Sequence, residues 1–332
     1  MSVSTFRALL VSKADDSTFS REVIERSLDD LPAGEVLVRV RYSSLNYKDG
    51  LSCTGNPGVT RNYPHTPGID ASGEVAESSD SRFKAGDSVI VTSYDLGMNT
   101  SGGFGQYIRV PADWVVPLPA GLSFREAMIY GTAGYTAALS VYALQKHGIT
   151  PEQGEIAVSG STGGVGSVSV ALLSHLGYTV AASTGKTVAT EFLSGLGAKE
   201  VISRNEINDD SKKPLLRERW AGAVDTVGGT TLATLLKAMK RGGAVAATGL
   251  VASADLPTTV FPFILRGVSL LGIDSGETPM NLRKEVWNKL AGEWKIPQLN
   301  QLSTECTLDE LNPEIDKILA GGQQGRVVVD LL

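Results

Sequence analysis

Gly160, Ser161, Gly163 and Gly166 stand between a short apolar run, Ile156-Ala157-Val158, and a helical pattern with an apolar face at Val165, Val168, Leu172 and Leu176. Glycine here lets the chain reverse tightly and lets its backbone approach an anion, which the unpaired N–H groups and positive dipole end of the following helix then attract. Pyrophosphate is the anion this suits: in a G-x-G-x-x-G fingerprint, Ser161, Gly163 and Gly166 take the three places. The next apolar run, Tyr178 to Ala182, gives the segment the length of a β-α-β unit. An NAD-selective site of this type carries an acid at the end of that second strand, to accept hydrogen bonds from the ribose 2′-hydroxyl. From Ile156 through Thr190 there is none. The run ends instead in Ser183-Thr184-Gly185-Lys186, and Arg204 follows the next strand-like run, Glu200 to Ser203. Hydroxyls and cations attract a 2′-phosphate that a carboxylate would repel, so these residues predict NADPH over NADH. Lys186 and Arg204 as plain solvated charges is the competing reading, and the missing acid weighs against it.

Elements on either side must hold this loop. Phe6 to Val11 and Glu35 to Tyr42 alternate as strands do, and further short runs at Gly73 to Ala76, Ser88 to Thr92 and Gln106 to Val110 are divided by Gly- and Pro-bearing turns. So many short strands without a helix predict a compact β-barrel-like unit, with helix beginning only after Ser123-Phe124-Arg125-Glu126, a capping-box pattern. Ala127 to Leu144 is small and apolar, broken by Gly131-Thr132-Ala133-Gly134. Beyond the glycine turn, strand patterns at Ala223 to Gly229, Gly242 to Leu250 and Val268 to Ile273 alternate with a helix at Leu232 to Met239. This predicts a doubly wound parallel sheet with its ligand beyond the carboxyl ends of the strands. Helices at Val286 to Trp294 and Leu308 to Leu319 precede a closing strand, Arg326 to Val329, expected to rejoin the N-terminal sheet.

A chain of 332 residues suits two domains, and a net charge of −6 gives no reason to expect nucleic-acid or membrane binding. Cys53 and Cys306 are the only cysteines, which excludes a disulfide framework and a four-cysteine zinc lobe. The N-terminal MSVSTFRALLVSKADD lacks a charged start followed by a long apolar core, so the expectation is a cytoplasmic protein.

A β-rich half with a nucleotide domain inserted before its C-terminal end resembles the medium-chain dehydrogenase/reductase superfamily. The segments Ser43-Ser44-Leu45-Asn46-Tyr47-Lys48-Asp49, Pro67-Gly68-Ile69-Asp70, Tyr130-Gly131-Thr132-Ala133-Gly134, Gly160 to Gly166 and Pro262-Phe263-Ile264-Leu265-Arg266-Gly267 together resemble its zinc-free quinone oxidoreductase branch, and within that the acryloyl-CoA reductase group. The resemblance implies an α/β chain with a GroES-like β-barrel catalytic domain (1–130, completed by 276–332) and a Rossmann NADPH-binding domain (131–275). It implies an active-site cleft between the domains and a homodimer joined through about Val268 to Ile273. Where zinc-dependent relatives carry a Cys and a His-Glu pair, this chain has Asn46-Tyr47-Lys48-Asp49 and Ile69-Asp70, a poor donor set for zinc, so no metal is expected. Cys53 lies near the first place, with His65 as the only further soft ligand; His147 and His175 are most simply surface residues.

By the resemblance, Tyr47, Asn46 and Lys48 are the catalytic donors near the nicotinamide, with Tyr47 foremost. Thr162, Gly163, Gly164 and Val165 contact the phosphates, Thr184, Gly185, Lys186 and Arg204 hold the 2′-phosphate, and Leu250, Ile264 and Ser275 line the nicotinamide end. For Asp49 and Asp70 the simpler reading is capping, or pairing with neighbouring backbone and Lys48. Arg61 is more simply a solvated loop residue than a contact for an anionic CoA tail. Without a metal, an activated C=C is easier to reduce than a simple carbonyl, because hydrogen-bond donors suffice to hold an enolate oxygen. The expected reaction is NADPH-dependent reduction of a 2-enoyl thioester, acryloyl-CoA to propanoyl-CoA. The competing readings are an NADPH-dependent quinone or enone oxidoreductase and a non-catalytic NADPH-binding redox sensor.

Overall fold

The computed structural model describes residues 4–15 and 17–332, with Thr187 as backbone only. Met1, Ser2, Val3 and Asp16, part of the N-terminal stretch read above for targeting, lie outside them. The chain divides into two compact units, one formed by Met1–Thr132, Gly276–Ala291 and Leu299–Leu332, the other by Ala133–Ser275 and Gly292–Gln298. Among the described residues no helix is long and apolar enough to cross a membrane.

In the first unit a hairpin of β1 (Thr5–Lys13) and β2 (Phe19–Ser27) pairs Thr5 with Ser27 and Lys13 with Phe19. Then come β3 (Val36–Leu45), α1 (Tyr47–Cys53), β4 (Asp70–Ser78), β5 (Ser88–Thr92), β6 (Tyr107–Val110) and β7 (Val115–Pro117). Sequence reading omitted β2 and α1. No residue of β2 is fully buried and Arg21, Glu22, Glu25 and Arg26 crowd it, so it lacks the apolar alternation by which strands are recognised. The expectation of no helix before Ser123 is corrected by α1, two turns long and too short to show a periodicity. α2 (Phe124–Lys146) starts at the expected capping box, with Ser123 N–H donating to Glu126 at 2.9 Å and Glu126 N–H to Ser123 at 3.1 Å. It breaks at Gly131, whose φ of 50° only glycine adopts readily.

The second unit alternates β8 (Ile156–Val158), α3 (Gly164–His175), β9 (Val180–Thr184), α4 (Thr190–Gly195), β10 (Glu200–Ser203), β11 (Trp220–Asp225), α5 (Gly229–Ala238), β12 (Met239–Ala247), α6 (Phe261–Arg266) and β13 (Ser269–Gly272). Its six strands are all parallel, in the order β10-β9-β8-β11-β12-β13. Chain order reverses between β8 and β11, the switch point outside which nucleotides bind in such sheets. Ala157, Ala181, Ala223 and Val245 stand in register across β8, β9, β11 and β12 and are buried in the core on one face of the sheet.

The chain returns to the first unit with α7 (Met280–Ala291), β14 (Ser303–Thr307), α8 (Leu311–Leu319) and β15 (Arg326–Asp330). β15 pairs antiparallel with β3, Val327 opposite Leu45, so the last strand does rejoin the N-terminal sheet. That sheet runs β14-β15-β3-β4-β5-β7, with β6 also on β3, around a core that includes Leu9, Val38, Val91, Phe104 and Val329.

Candidate active site and cofactor-binding loops

In the nucleotide unit, the turn after β8 is shaped by contact. Gly160 takes a φ of 56°, and a Cβ on Gly166 would fall 2.7 Å from the Ser161 Cα and collide with the Gly160 carbonyl. The first bond into α3 is donated by Ser167 N–H to Gly163 at 2.9 Å, so the N–H groups of Gly164, Val165 and Gly166 precede any intrahelical acceptor. Thr162 is buried and Gly163, Gly164 and Val165 are partly exposed at this anion-attracting end. Asp225 braces the turn from β11. Its carboxylate accepts from Ser159 Oγ at 2.7 Å and Gly228 N–H at 2.8 Å, while Ser159 Oγ accepts from Thr226 N–H at 2.9 Å. Burial raises its pKa.

One strand over, Ser203 pairs with Thr184, which sets Arg204 beside Gly185. The guanidinium packs on the Gly185 Cα so closely that a Cβ there would overlap it. Lys186 N–H donates to Thr184 Oγ1 at 3.0 Å. Thr184, Gly185, Lys186 and Arg204 are thus brought together, with no carboxylate on the Thr184 to Thr190 segment. This cradle and cation pair fit a phosphorylated dinucleotide. The residues assigned to the far end are more scattered. Leu250, 66% exposed, borders a hollow of about 280 Å³ formed with Gly228, Gly229, Thr248 and Ser253. Ile264, 68% exposed on α6, does not line it, and Ser275 accepts from Thr136 Oγ1 at 2.8 Å.

In the other unit, a buried polar cluster underlies the start of α1. The Asp70 carboxylate accepts from Ser44 Oγ at 2.6 Å, Asn46 Nδ2 at 2.7 Å, Thr132 N–H at 2.9 Å and Thr132 Oγ1 at 2.6 Å. Arg326, 2% exposed, lies 3.7 Å from it and donates to Asn46 Oδ1 at 3.1 Å, Ser44 Oγ at 2.8 Å and the Leu45 carbonyl at 3.0 Å. Gly131 is required where α2 meets this pair, since a Cβ would strike Asp70, Ser44 and Arg326. Asp49 accepts the N–H groups of Asn46 at 2.7 Å and Ile69 at 2.9 Å. Burial, and secondarily the nearby Asp70, pushes its carboxyl up to about 7.

The cluster redistributes the expected donors. Asn46 is 8% exposed, with its amide N–H groups given to Asp70 and to the Ser44 carbonyl at 3.2 Å, so it positions the first turn of α1 and has no donor left for a substrate. Tyr47, at the first helical position, is 43% exposed. Lys48 pairs with neither acid: its ammonium sits 3.9 Å from Met98 Sδ, and the buried cation at Asp70 is Arg326. Arg326 and Thr132 escaped sequence reading as site residues. The available signal was a lone arginine opening an apolar strand, which burial makes costly unless a partner is waiting.

Residues 32–120 match the Alcohol dehydrogenase GroES-like domain family and residues 164–292 the Zinc-binding dehydrogenase family. The acrylyl-CoA reductase AcuI of Ruegeria pomeroyi is 49% identical over 327 residues, 98% of this chain and 99% of that one. The chain belongs to the medium-chain dehydrogenase/reductase superfamily. The putative quinone oxidoreductase YhfP of Bacillus subtilis is also 49% identical, over 98% of this chain and 99% of its own, and its crystal structure with NAD bound superposes with a TM-score of 0.96 at 48% identity, covering 99% and 100% of the two chains. The yhdH oxidoreductase from Salmonella enterica in complex with NADP gives a TM-score of 0.95 at 46% identity, covering 98% of this chain and all of that one.

One matching family is described by zinc, but this superfamily member offers poor ligands for it. Among the described residues no three His, Cys, Asp or Glu side chains are grouped to hold a metal ion. Cys53 is in the barrel core, where burial pushes its thiol up to about 12, and burial likewise lowers the His65 pKa. The residues do not fit a catalytic zinc.

Proposed function

We propose that the chain is a cytoplasmic, zinc-independent enzyme that reduces an activated C=C bond with NADPH, converting acrylyl-CoA to propanoyl-CoA. The observation that carries this reading is the end-to-end similarity, 49% identity, to an acrylyl-CoA reductase. The phosphate turn at Thr162 to Val165 and the cluster of Thr184, Gly185, Lys186 and Arg204 would hold the dinucleotide and its 2′-phosphate, with Leu250, Ile264 and Ser275 toward the nicotinamide. When bound, NADPH supplies the hydride that ends on the β-carbon of the substrate. The chain's own residues do the rest: the Tyr47 hydroxyl, assisted by the Lys48 ammonium, holds the negative charge that gathers on the thioester oxygen, and a proton taken from water completes the α-carbon as the enolate collapses. Asn46 keeps Tyr47 oriented through its bonds to Asp70 and Arg326.

Equal identity to a putative quinone oxidoreductase favours a second reading, reduction of quinones or free enones without CoA recognition. Loss of NADPH absorbance with acrylyl-CoA, a quinone and a free enone decides between them; turnover of the quinone alone would sink the first reading.

The proposal includes a homodimer. β13 is an edge strand with Leu270 exposed, and α6, which precedes it in the chain and packs on β12, exposes Phe261 and Leu265. Such an apolar edge is an aggregation hazard unless a second copy covers it. Light scattering should give twice the chain mass, and a monomer at working concentrations would contradict it.

A further inference from the structure

In this acidic chain the loop after α1 carries Arg61 and no acid, whereas the loop it meets carries one acid and no Lys or Arg. Residues 54–66, following α1, contain no carboxylate, and residues 93–106 contain only Asp95. Asp95 is occupied by its own turn, accepting from Asn99 Nδ2 at 3.0 Å and Thr100 Oγ1 at 2.9 Å. The loop after α1 is fixed from within: Asn56 accepts the N–H groups of Val59 and Thr60 at 3.0 Å each, Ser52 and Thr60 share a hydroxyl bond at 2.7 Å, and Tyr63 Oη donates to the Ser52 carbonyl at 2.6 Å. It joins the other loop where Arg61 N–H donates to Asn99 Oδ1 at 3.3 Å. Lys48 Nζ rests on Met98, the neighbouring residue. Arg61 and Lys48 thus touch consecutive residues, whose Cα atoms are about 3.8 Å apart.

Both cations are exposed and neither meets a carboxylate among the described residues; Arg61 spends only Nε, on the Pro57 carbonyl at 3.4 Å. In the same unit Arg7, Arg21, Arg41, Arg82 and Arg125 are each paired with an acid, while exposed Arg39, like Arg61, meets none among the described residues. An exposed arginine without an acid partner, on a loop braced from within, is suited to a phosphate.

We propose that Arg61 forms an anion-binding rim that anchors the phosphate-bearing nucleotide tail of a CoA thioester whose acyl end lies at Tyr47. This rests on the enoyl-thioester reading above. The test compares acrylyl-CoA with S-acrylyl-pantetheine, which lacks the nucleotide and its phosphates, using the wild-type chain and Arg61→Gln with NADPH. Wild type should prefer the CoA ester in kcat/KM, and salt should erode that preference. Arg61→Gln should raise KM for the CoA ester about fivefold, the effect of one exposed charged contact, and leave the pantetheine ester unchanged. The pantetheine ester also reports whether the variant is folded. Turnover of neither ester by wild type would overturn the enoyl-thioester reading and the rim with it. Turnover of both esters with no preference for CoA, or a preference that survives Arg61→Gln, would overturn the rim alone.

Discussion

Gly185→Ala isolates the contact that should select the phosphorylated cofactor. Gly185 is not among the left-handed glycines, so alanine imposes no backbone strain there. What the new Cβ would meet is the Arg204 guanidinium, the free end of a flexible, exposed side chain, which moves aside at little cost to stability. The fold should therefore hold within about 0.5 kcal/mol, as for ordinary surface changes. The displaced guanidinium loses its alignment on the 2′-phosphate. A hydrogen bond to a charged group contributes about 1.5–3 kcal/mol, so NADPH affinity should fall roughly 10- to 150-fold while NADH affinity barely changes. Fluorescence titration of both cofactors measures this. Arg204→Gln should reproduce the loss, and the double variant should be no worse than Arg204→Gln alone, because both changes remove one interaction. Equal weakening of the two cofactors, or additive losses, would refute the reasoning. The question has weight because one relative of 48% identity was crystallised with NAD and another with NADP.

Lys186→Ala should likewise weaken NADPH by about 1.5–3 kcal/mol more than NADH, and parallel losses in titration would count against the assignment. Tyr47→Phe should lower kcat and leave NADPH affinity intact; unchanged turnover removes the hydroxyl from the mechanism. Asp49 has a folded pKa raised to about 7, against about 3.9 unfolded, so the stability tied to its protonation is full below pH 4 and is lost as pH rises through 7. Tm measured across that window should fall with pH in wild type and flatten in Asp49→Asn, and a variant that kept the slope would show that another group sets it. Arg326→Met strands the buried Asp70 carboxylate and should cost about 3–5 kcal/mol in denaturant titration, with Asp70→Asn added to it recovering part; a loss below about 1 kcal/mol would mean that the pair carries little.

The nucleotide unit was legible because its cues are local. A buried parallel strand is a short apolar run, a phosphate turn needs glycine, and Ile156 to Val158 and Glu200 to Ser203 appear where the residues put them. The closing strand and the capping box at Ser123 were equally local. The β-rich unit was harder. β2 has its charges on a half-exposed hairpin, and α1 is fixed by the Asp49 bond to Asn46 N–H and not by a periodic face. The Asp70 cluster joins residues 44, 46, 70, 132 and 326, and no spacing in a sequence announces a contact across some 280 positions. That is also why Asn46 was read as a donor to substrate: its type was visible, but the partners that use up its amide were not.

The same cluster limits what this site can accept. At the places where zinc-dependent relatives carry ligands, Asp70 has its oxygens occupied by Ser44, Asn46 and Thr132 with Arg326 alongside, and Asn46 is spent on both sides. Asp49, whose pKa burial raises to about 7, is bonded to backbone. What faces outward is a phenol and an ammonium, neutral and charged hydrogen-bond donors. Donors of this strength stabilise an oxyanion that is already delocalised, as in the enolate of a thioester or the monoanion of a hydroquinone, far better than the localised alkoxide of a simple alcohol. Activation must therefore reside in the substrate. Isolated alkenes and unconjugated ketones should be inert with NADPH even at saturating concentration, and turnover of a simple ketone at a rate near that of an acrylyl thioester would show that the polarising group has been misplaced.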